Sequence, residues 1–190
     1  MSVVKKTVLL LVLAASVVAP RAQEKVFPPT AEQKAEIHKK LAELSARIAG
    51  LGAKTDRQLL ADVQIHRKAV DYILRFPEEF FGPAYAAEAI RTLDLGIARA
   101  IELEYGTDSW TKKTGNLVRG YVSRVDGSVQ PYGLTIPASY NGTRPMRLDV
   151  WLHGTQMQLN EVRFINQQEG PHSTPQIAAE DYIQLEPFGR

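Results

Sequence analysis

Cysteine is absent from the 190 residues, which excludes disulfides, thiolate metal sites and thiol nucleophiles together. A charge excess is also missing. The chain carries 23 Lys and Arg against 21 Asp and Glu, and without Lys5, Lys6 and Arg21 near the start the acids outnumber the bases by one. No basic stripe remains to suggest a nucleic-acid partner. Long apolar runs are lacking too; the stretch from Val8 to Ala19 is too short to span a bilayer comfortably. No repeat with a period of about 20–50 residues is visible. What is present is a hydrophobic fraction of 44%, which argues against general disorder.

The start has the layout of a secretory leader: Lys5 and Lys6, the apolar stretch to Ala19, then small residues before Gln23. Cutting after Ala22 puts Pro20 at the third position back, whereas cutting after Ala19 puts Pro20 just past the cut. Ala22 is the favoured site, so residues 1–22 are read as a signal peptide and the mature chain as secreted or periplasmic. A retained N-terminal anchor is the alternative. After cleavage no stable membrane span is expected, and roughly 170 residues remain, enough for one ordinary domain or two small ones.

Residues 23–106 read as a three-helix region. Thr30 and Gln33 are placed as a capping box, and Pro28-Pro29 blocks an earlier start. Ile37, Leu41, Leu44, Ile48 and Leu51 then line one stripe, with Gly50 and Gly52 ending the helix. A second helix fits Asp56 to Phe76, with Leu59, Val63, His66, Val70 and Ile73 on one face. The third fits Pro83 to Tyr105 on the stripe Ala86, Ile90, Leu93, Ile97 and Ile101. Short connections between amphipathic helices predict a small antiparallel bundle.

Residues 107–190 change character. Leu117 to Val125 and Val129 to Ile136 are rich in β-formers and flank Asp126-Gly127, a dipeptide suited to a hairpin turn. Met146 to Leu152 reads as a strand ending at His153-Gly154, Leu159 to Gln168 as a short helix and Tyr182 to Leu185 as a last strand. Hairpin, strand, helix, strand predicts an α/β sheet whose later strands are parallel, attached to the helical bundle.

Several residues invite chemistry. Asp62 and His66 sit four apart on a helix and can meet as metal ligands or as a stabilising pair. With no third ligand apparent and His38, His153 and His172 scattered, the pair is read as structural, and no metal or cofactor is expected. Glu78-Glu79, Glu102 and Glu104 fall at helix ends or on a polar face, where solvated charge is the default. Asn141-Gly142-Thr143 has the form of a glycosylation sequon but coincides with a turn. Tyr72, Phe76, Phe80, Phe81, Tyr85 and Tyr105 are read as sealing a core rather than as a binding surface. Asp149, inside an apolar strand, needs Arg147, Arg119, Arg124 or solvent. At His153-Gly154 a strand end presents backbone N–H groups beside a glycine that permits close approach, the arrangement an oxyanion hole requires; His153 itself is read as a packing or supporting residue.

The run from Gln130 through Gly133 to Pro137, with Tyr140 and the segment Arg144 to Gly154, resembles the opening of the catalytic domain in prolyl oligopeptidase-like (peptidase S9-type) α/β-hydrolases, especially a secreted bacterial branch with an N-terminal helical region. The resemblance extends from about Asp62 to the C-terminus. It implies the first four strands of a partial α/β-hydrolase sheet, with the backbone N–H groups at Gly154 and Thr155 as oxyanion donors and His153 as a motif residue. Thr155 departs from the longer polar or glycine-containing turn expected there, though a backbone donor tolerates a change of side chain.

The nucleophile and base are missing from this picture: no Gly-x-Ser-x-Gly pentapeptide occurs in the chain. In the resembled family the serine, acid and base follow the fourth strand, so the chain is expected to be the N-terminal part of an exported serine hydrolase, esterase or peptidase, inactive alone. An ester or peptide substrate is expected once a C-terminal catalytic half completes it. The competing expectation is a secreted, non-catalytic binding or scaffold protein with a helical interaction module. The leader makes the first testable prediction: mass spectrometry of exported protein is expected to find a mature chain starting at Gln23, and an intact Met1 in most of the exported material would contradict it.

Overall fold

The computed structural model describes residues 25–152, 154, 156–169 and 182–189; the expected leader 1–22, His153 and Thr155 lie outside them. The architecture is mixed α/β, with four helices and one four-stranded mixed sheet. Among the described residues no helix is long and apolar enough to cross a membrane.

Helix α1 (Ala31–Leu51) opens on the expected capping box, with the Gln33 amide donating to Thr30 Oγ1 at 3.2 Å and Thr30 N donating to Gln33 Oε1 at 2.9 Å. Gly50 stays inside the helix and Gly52 ends it. Helix α2 (Arg57–Arg75) is capped by Asp56, whose carboxylate accepts from Gln58 N and Leu59 N. Helix α3 (Tyr85–Glu104) starts two residues later than its proline suggests. The expected stripes supply buried Ile37, Leu44, Val63, Val70, Ile73 and Leu93. The exposed rings of Tyr72, Phe76 and Tyr105 depart from core sealing, which holds for Phe80 and Tyr85.

Strands β1 (Gly115–Val122) and β2 (Val129–Ile136) form the expected hairpin, antiparallel from Gly115 opposite Ile136 to Val122 opposite Val129. Gly127 takes a φ of 73° in its turn, a conformation that costs glycine nothing. Asp126 closes the turn by accepting from Ser128 N and Oγ, which holds its carboxyl down to about 2. Strand β3 (Arg147–Val150) leads through a loop to helix α4 (Glu161–Glu169), and strand β4 (Tyr182–Pro187) follows. The sheet order is β1-β2-β4-β3, with β4 antiparallel to β2 and parallel to β3.

Helix α2 lies between the other helices and the sheet, packing on α3 and α1 on one side and across β1 and β2 on the other. A single apolar cluster therefore runs from Ile37 and Leu44 through Val63 and Ile65 to Val118, Phe164 and Ile165. The approach of α2 to β1 is close: a Cβ on Gly120 would lie 2.4 Å from the Ala61 carbonyl oxygen. Helix backbone cannot yield as a side chain does, so Gly120→Ala is expected to cost roughly 1–3 kcal/mol. Gly50→Ala, with nothing within 4 Å of the new methyl, is expected to be neutral or slightly stabilising. Thermal melts of the two variants check this, and equal melting temperatures would contradict the close packing.

Candidate functional site

Gly154 follows β3 in the loop that enters α4. The hydrogen bond from Trp151 N to Leu185 O, at 2.8 Å, carries the parallel ladder one step past the end of β3. Asn160 stands just before helix α4, its Oδ1 accepting from Arg163 N at 3.0 Å while its Nδ2 donates to the Glu79 carbonyl. Between these two fixed points the loop is held at Leu159, whose N–H donates to Gln156 O, and at Gln158, whose carbonyl accepts from the Tyr85 hydroxyl at 2.5 Å. Gly154 thus sits between a strand and a helix whose ends are both anchored. A Cβ there would meet nothing within 4 Å.

The other candidate residues have structural employment. The expected contact between Asp62 and His66 does not form. Asp62, fully buried, accepts instead from Trp110 Nε1 at 3.0 Å, Arg119 Nε at 2.7 Å and Gly120 N at 2.7 Å. Those three donors fill the carboxylate more completely than one imidazole four residues away. Glu102 accepts from Ser109 N, Glu104 pairs with Arg47, Glu78 is exposed and Glu79 is buried under Asn160. Asn141 Oδ1 accepts from Thr143 N and Oγ1, a side-chain-closed turn. Asp149 pairs with Arg147 at 3.0 Å and stays half exposed. Among the described residues no group of three or more His, Asp or Glu is arranged to hold a metal.

A cavity of about 370 Å³ opens between α2, the β1–β2 turn and the start of α4. Lys68 crosses its wall, donating to Glu161 Oε1 at 2.6 Å and to Gln130 Oε1 at 3.1 Å. Burial pushes the Glu161 carboxyl up, and the Lys68 ammonium opposes that. The pair closes the polar side of the cavity on itself.

His66 is the buried titratable group left without a hydrogen-bond partner at either ring nitrogen. Burial drives its pKa well below 6.5, and the nearby Arg99 charge adds to this. The neutral ring is packed where α1, α2 and α3 meet, its Cβ close beneath Gly96. The unfolded chain takes up a proton on this histidine near its ordinary pKa while the folded chain does not. Stability is therefore fully present above about pH 6.5 and falls as the pH drops from there toward the lower folded value. His66→Leu is expected to flatten the fall in melting temperature between about pH 7 and 5; an unchanged slope would contradict a neutral buried ring.

Sequence reasoning misses Arg99 and Glu169. Arg99 Nη2 reaches Glu169 at 2.5 Å and the Val118 carbonyl at 2.9 Å, and Nη1 reaches the Asp62 carbonyl at 3.1 Å. The signal is in the spacing: Arg99 continues the buried series Thr92, Leu93, Gly96 along α3, where an arginine demands a partner. Against known proteins, no family model, no curated protein and no solved structure matches the chain.

Proposed function

We propose that the chain supplies the first strands and the backbone oxyanion loop of an exported α/β-hydrolase of the prolyl oligopeptidase-like type, with acyl transfer from an ester or peptide to water as its reaction. In this reading the N–H groups at Gly154 and Thr155 meet the oxygen of the scissile carbonyl as a serine from the completing half attacks the carbon. His153 supports the loop and transfers no proton. The chain alone does not turn over, since backbone donors without nucleophile and base leave only a residue of catalysis.

The observation that carries the reading is the difference between the two edges of the sheet. At the β1 edge the main chain is occupied by side chains: Val118 N donates to Glu169, Val118 O accepts from Arg99, Gly120 N donates to Asp62 and Gly120 O accepts from Gln58. At the β3 edge, Leu148, Val150, Trp151 and Leu152 are all more than half exposed. An edge strand with apolar side chains exposed is a template for further strands, and in the resembled fold later strands flank the third. The runner-up, a secreted binding or scaffold protein, draws on the absence of Gly-x-Ser-x-Gly from the sequence.

The test is hydrolysis of an activated ester by this chain, by the C-terminal half of a prolyl oligopeptidase-like enzyme, and by the two mixed. Turnover is expected in the mixture alone and is expected to fall by about a hundredfold or more with Gly154→Pro, which removes one donor and constrains the loop. Turnover by the chain alone, or a docked and active mixture indifferent to Gly154→Pro, would overturn the assignment.

A further inference from the structure

Two turns of the chain are built on one pattern. In the β1–β2 turn, Asp126 Oδ1 accepts from Ser128 N at 3.1 Å and from Ser128 Oγ at 2.7 Å, with Gly127 between them at a φ of 73°. In the loop between β2 and β3, Asn141 Oδ1 accepts from Thr143 N at 3.1 Å and from Thr143 Oγ1 at 2.6 Å, with Gly142 between them at a φ of 74°. Each side chain closes onto the residue two places on, a geometry that Asn and Asp share in turns. An aspartate therefore fits position 141 with its hydrogen bonds already in place.

The two turns differ at the glycine nitrogen. Gly127 N–H donates to Ser123 O at 3.0 Å. Gly142 N–H has no hydrogen-bond partner among the described residues, and neither has Asn141 Nδ2. Asn141, Gly142 and Thr143 are all exposed, and a Cβ on Gly142 would meet nothing within 4 Å. The other asparagines are engaged. Asn116 Oδ1 accepts from Thr135 Oγ1, while Asn160 and Asn166 are buried with their amides hydrogen-bonded, and none of the three precedes a glycine. At Asn141 alone, an amide carbonyl polarised by two donors precedes an untied main-chain nitrogen that no side chain shields.

We infer that Asn141 is a site of spontaneous deamidation, with Gly142 N as the nucleophile and the Thr143 N–H and Oγ1–H as donors to the oxyanion. Hydroxide takes the Gly142 N–H proton, and the nitrogen attacks Asn141 Cγ. As the N–Cγ bond forms, negative charge passes to Oδ1, where the two Thr143 donors meet it as fixed donors meet the oxyanion in acyl transfer. The Cγ–Nδ2 bond then breaks, and Nδ2 takes a proton from water and leaves as ammonia, which regenerates the hydroxide. Water opens the resulting succinimide at either carbonyl, giving aspartate or, with the main chain rerouted through Cγ, isoaspartate. The aspartate keeps the turn and stays charged, as Asp126 does with its carboxyl held down to about 2 by the equivalent donors. The inference does not rest on the acyl-transfer reading, since Asn141 lies before β3 and outside the post-strand loop.

The full chain is incubated at neutral and at alkaline pH, then digested and mapped by mass spectrometry, with isoaspartate read by enzymatic methylation. The mass gain of an amide turned to an acid is expected on the peptide carrying Asn141, faster at alkaline pH, with isoaspartate there and none at Asp126. Thr143→Val keeps the side-chain shape and removes one donor; it is expected to slow the folded chain roughly three- to tenfold, the worth of one ordinary hydrogen bond. Thr143→Ser, which keeps the hydroxyl, is expected to hold the wild-type rate. In urea, where the turn is lost, the three chains are expected to convert alike. Asn141→Asp is expected to show no mass gain and to melt with the wild type. An unchanged mass at Asn141 after prolonged alkaline incubation, a folded rate indifferent to Thr143→Val, or a Thr143→Val effect equally large in urea would each overturn the inference.

Discussion

The carboxylate of Asp62 joins the helices to the sheet. A buried charge costs several kcal/mol unless its lone pairs are met, and here three donors meet them: the Trp110 indole N–H, the Arg119 guanidinium and the Gly120 amide. All three follow α3 in the chain, so β1 is fixed only when α2 is in place beneath it. Arg99 adds the next link. Its guanidinium holds the Asp62 and Val118 carbonyls and the Glu169 carboxylate, tying α3 to α2, β1 and α4. Removing any one member leaves another buried charge or main-chain group unpaired, which is why such a cluster enforces one arrangement rather than merely adding stability.

The same cluster decides which edge of the sheet is closed. The Val118 and Gly120 main-chain groups are each met by a side chain from α2, α3 or α4. Side chains thus do for β1 what a neighbouring strand does elsewhere. From β1 the order passes through the hairpin register to β2, then to β4 and finally to β3. The strand at the opposite edge of the sheet, β3, carries the exposed Leu148 and Val150, and the loop at Gly154 follows it.

Local signals make much of this legible in the sequence. The Thr30–Gln33 capping box and the Asp126-Gly127 turn follow from residue types at short spacing, and the parallel pairing of the last two strands follows from the order strand, helix, strand. Asp62 resists the same treatment. Its neighbour at helical spacing, His66, is a plausible partner in sequence, but the three donors that win lie 48 to 58 residues away. Competition among distant donors is a tertiary property with no local period. Arg99 is half legible: its place on the apolar stripe announces burial, while the identity of Glu169 as its partner depends on where α4 docks. The loop at Gly154 is legible as the link between a strand and a helix, whereas its anchors, Tyr85 and Asn160, are set by packing against α3 and the Glu79 turn.

Helix α2 explains why helices and sheet behave as one body. Its buried residues Ala61, Asp62, Val63, Ile65, His66, Ala69, Val70 and Ile73 occupy more than one stripe, the pattern of a helix covered on two sides. Lifting the sheet from α2 would expose Ala61 and Ile65 and strip Asp62 of its donors; lifting α1 and α3 would expose His66 and Val70. Growth at the β1 edge would have to displace the side chains of Asp62, Arg99 and Glu169 and break the cluster on which the helices depend. Among the described residues, growth at β3 would meet the half-exposed side chains of Leu148 and Val150. The β1 edge is thus closed by the same side chains that join the helices to the sheet, and the two roles cannot be separated.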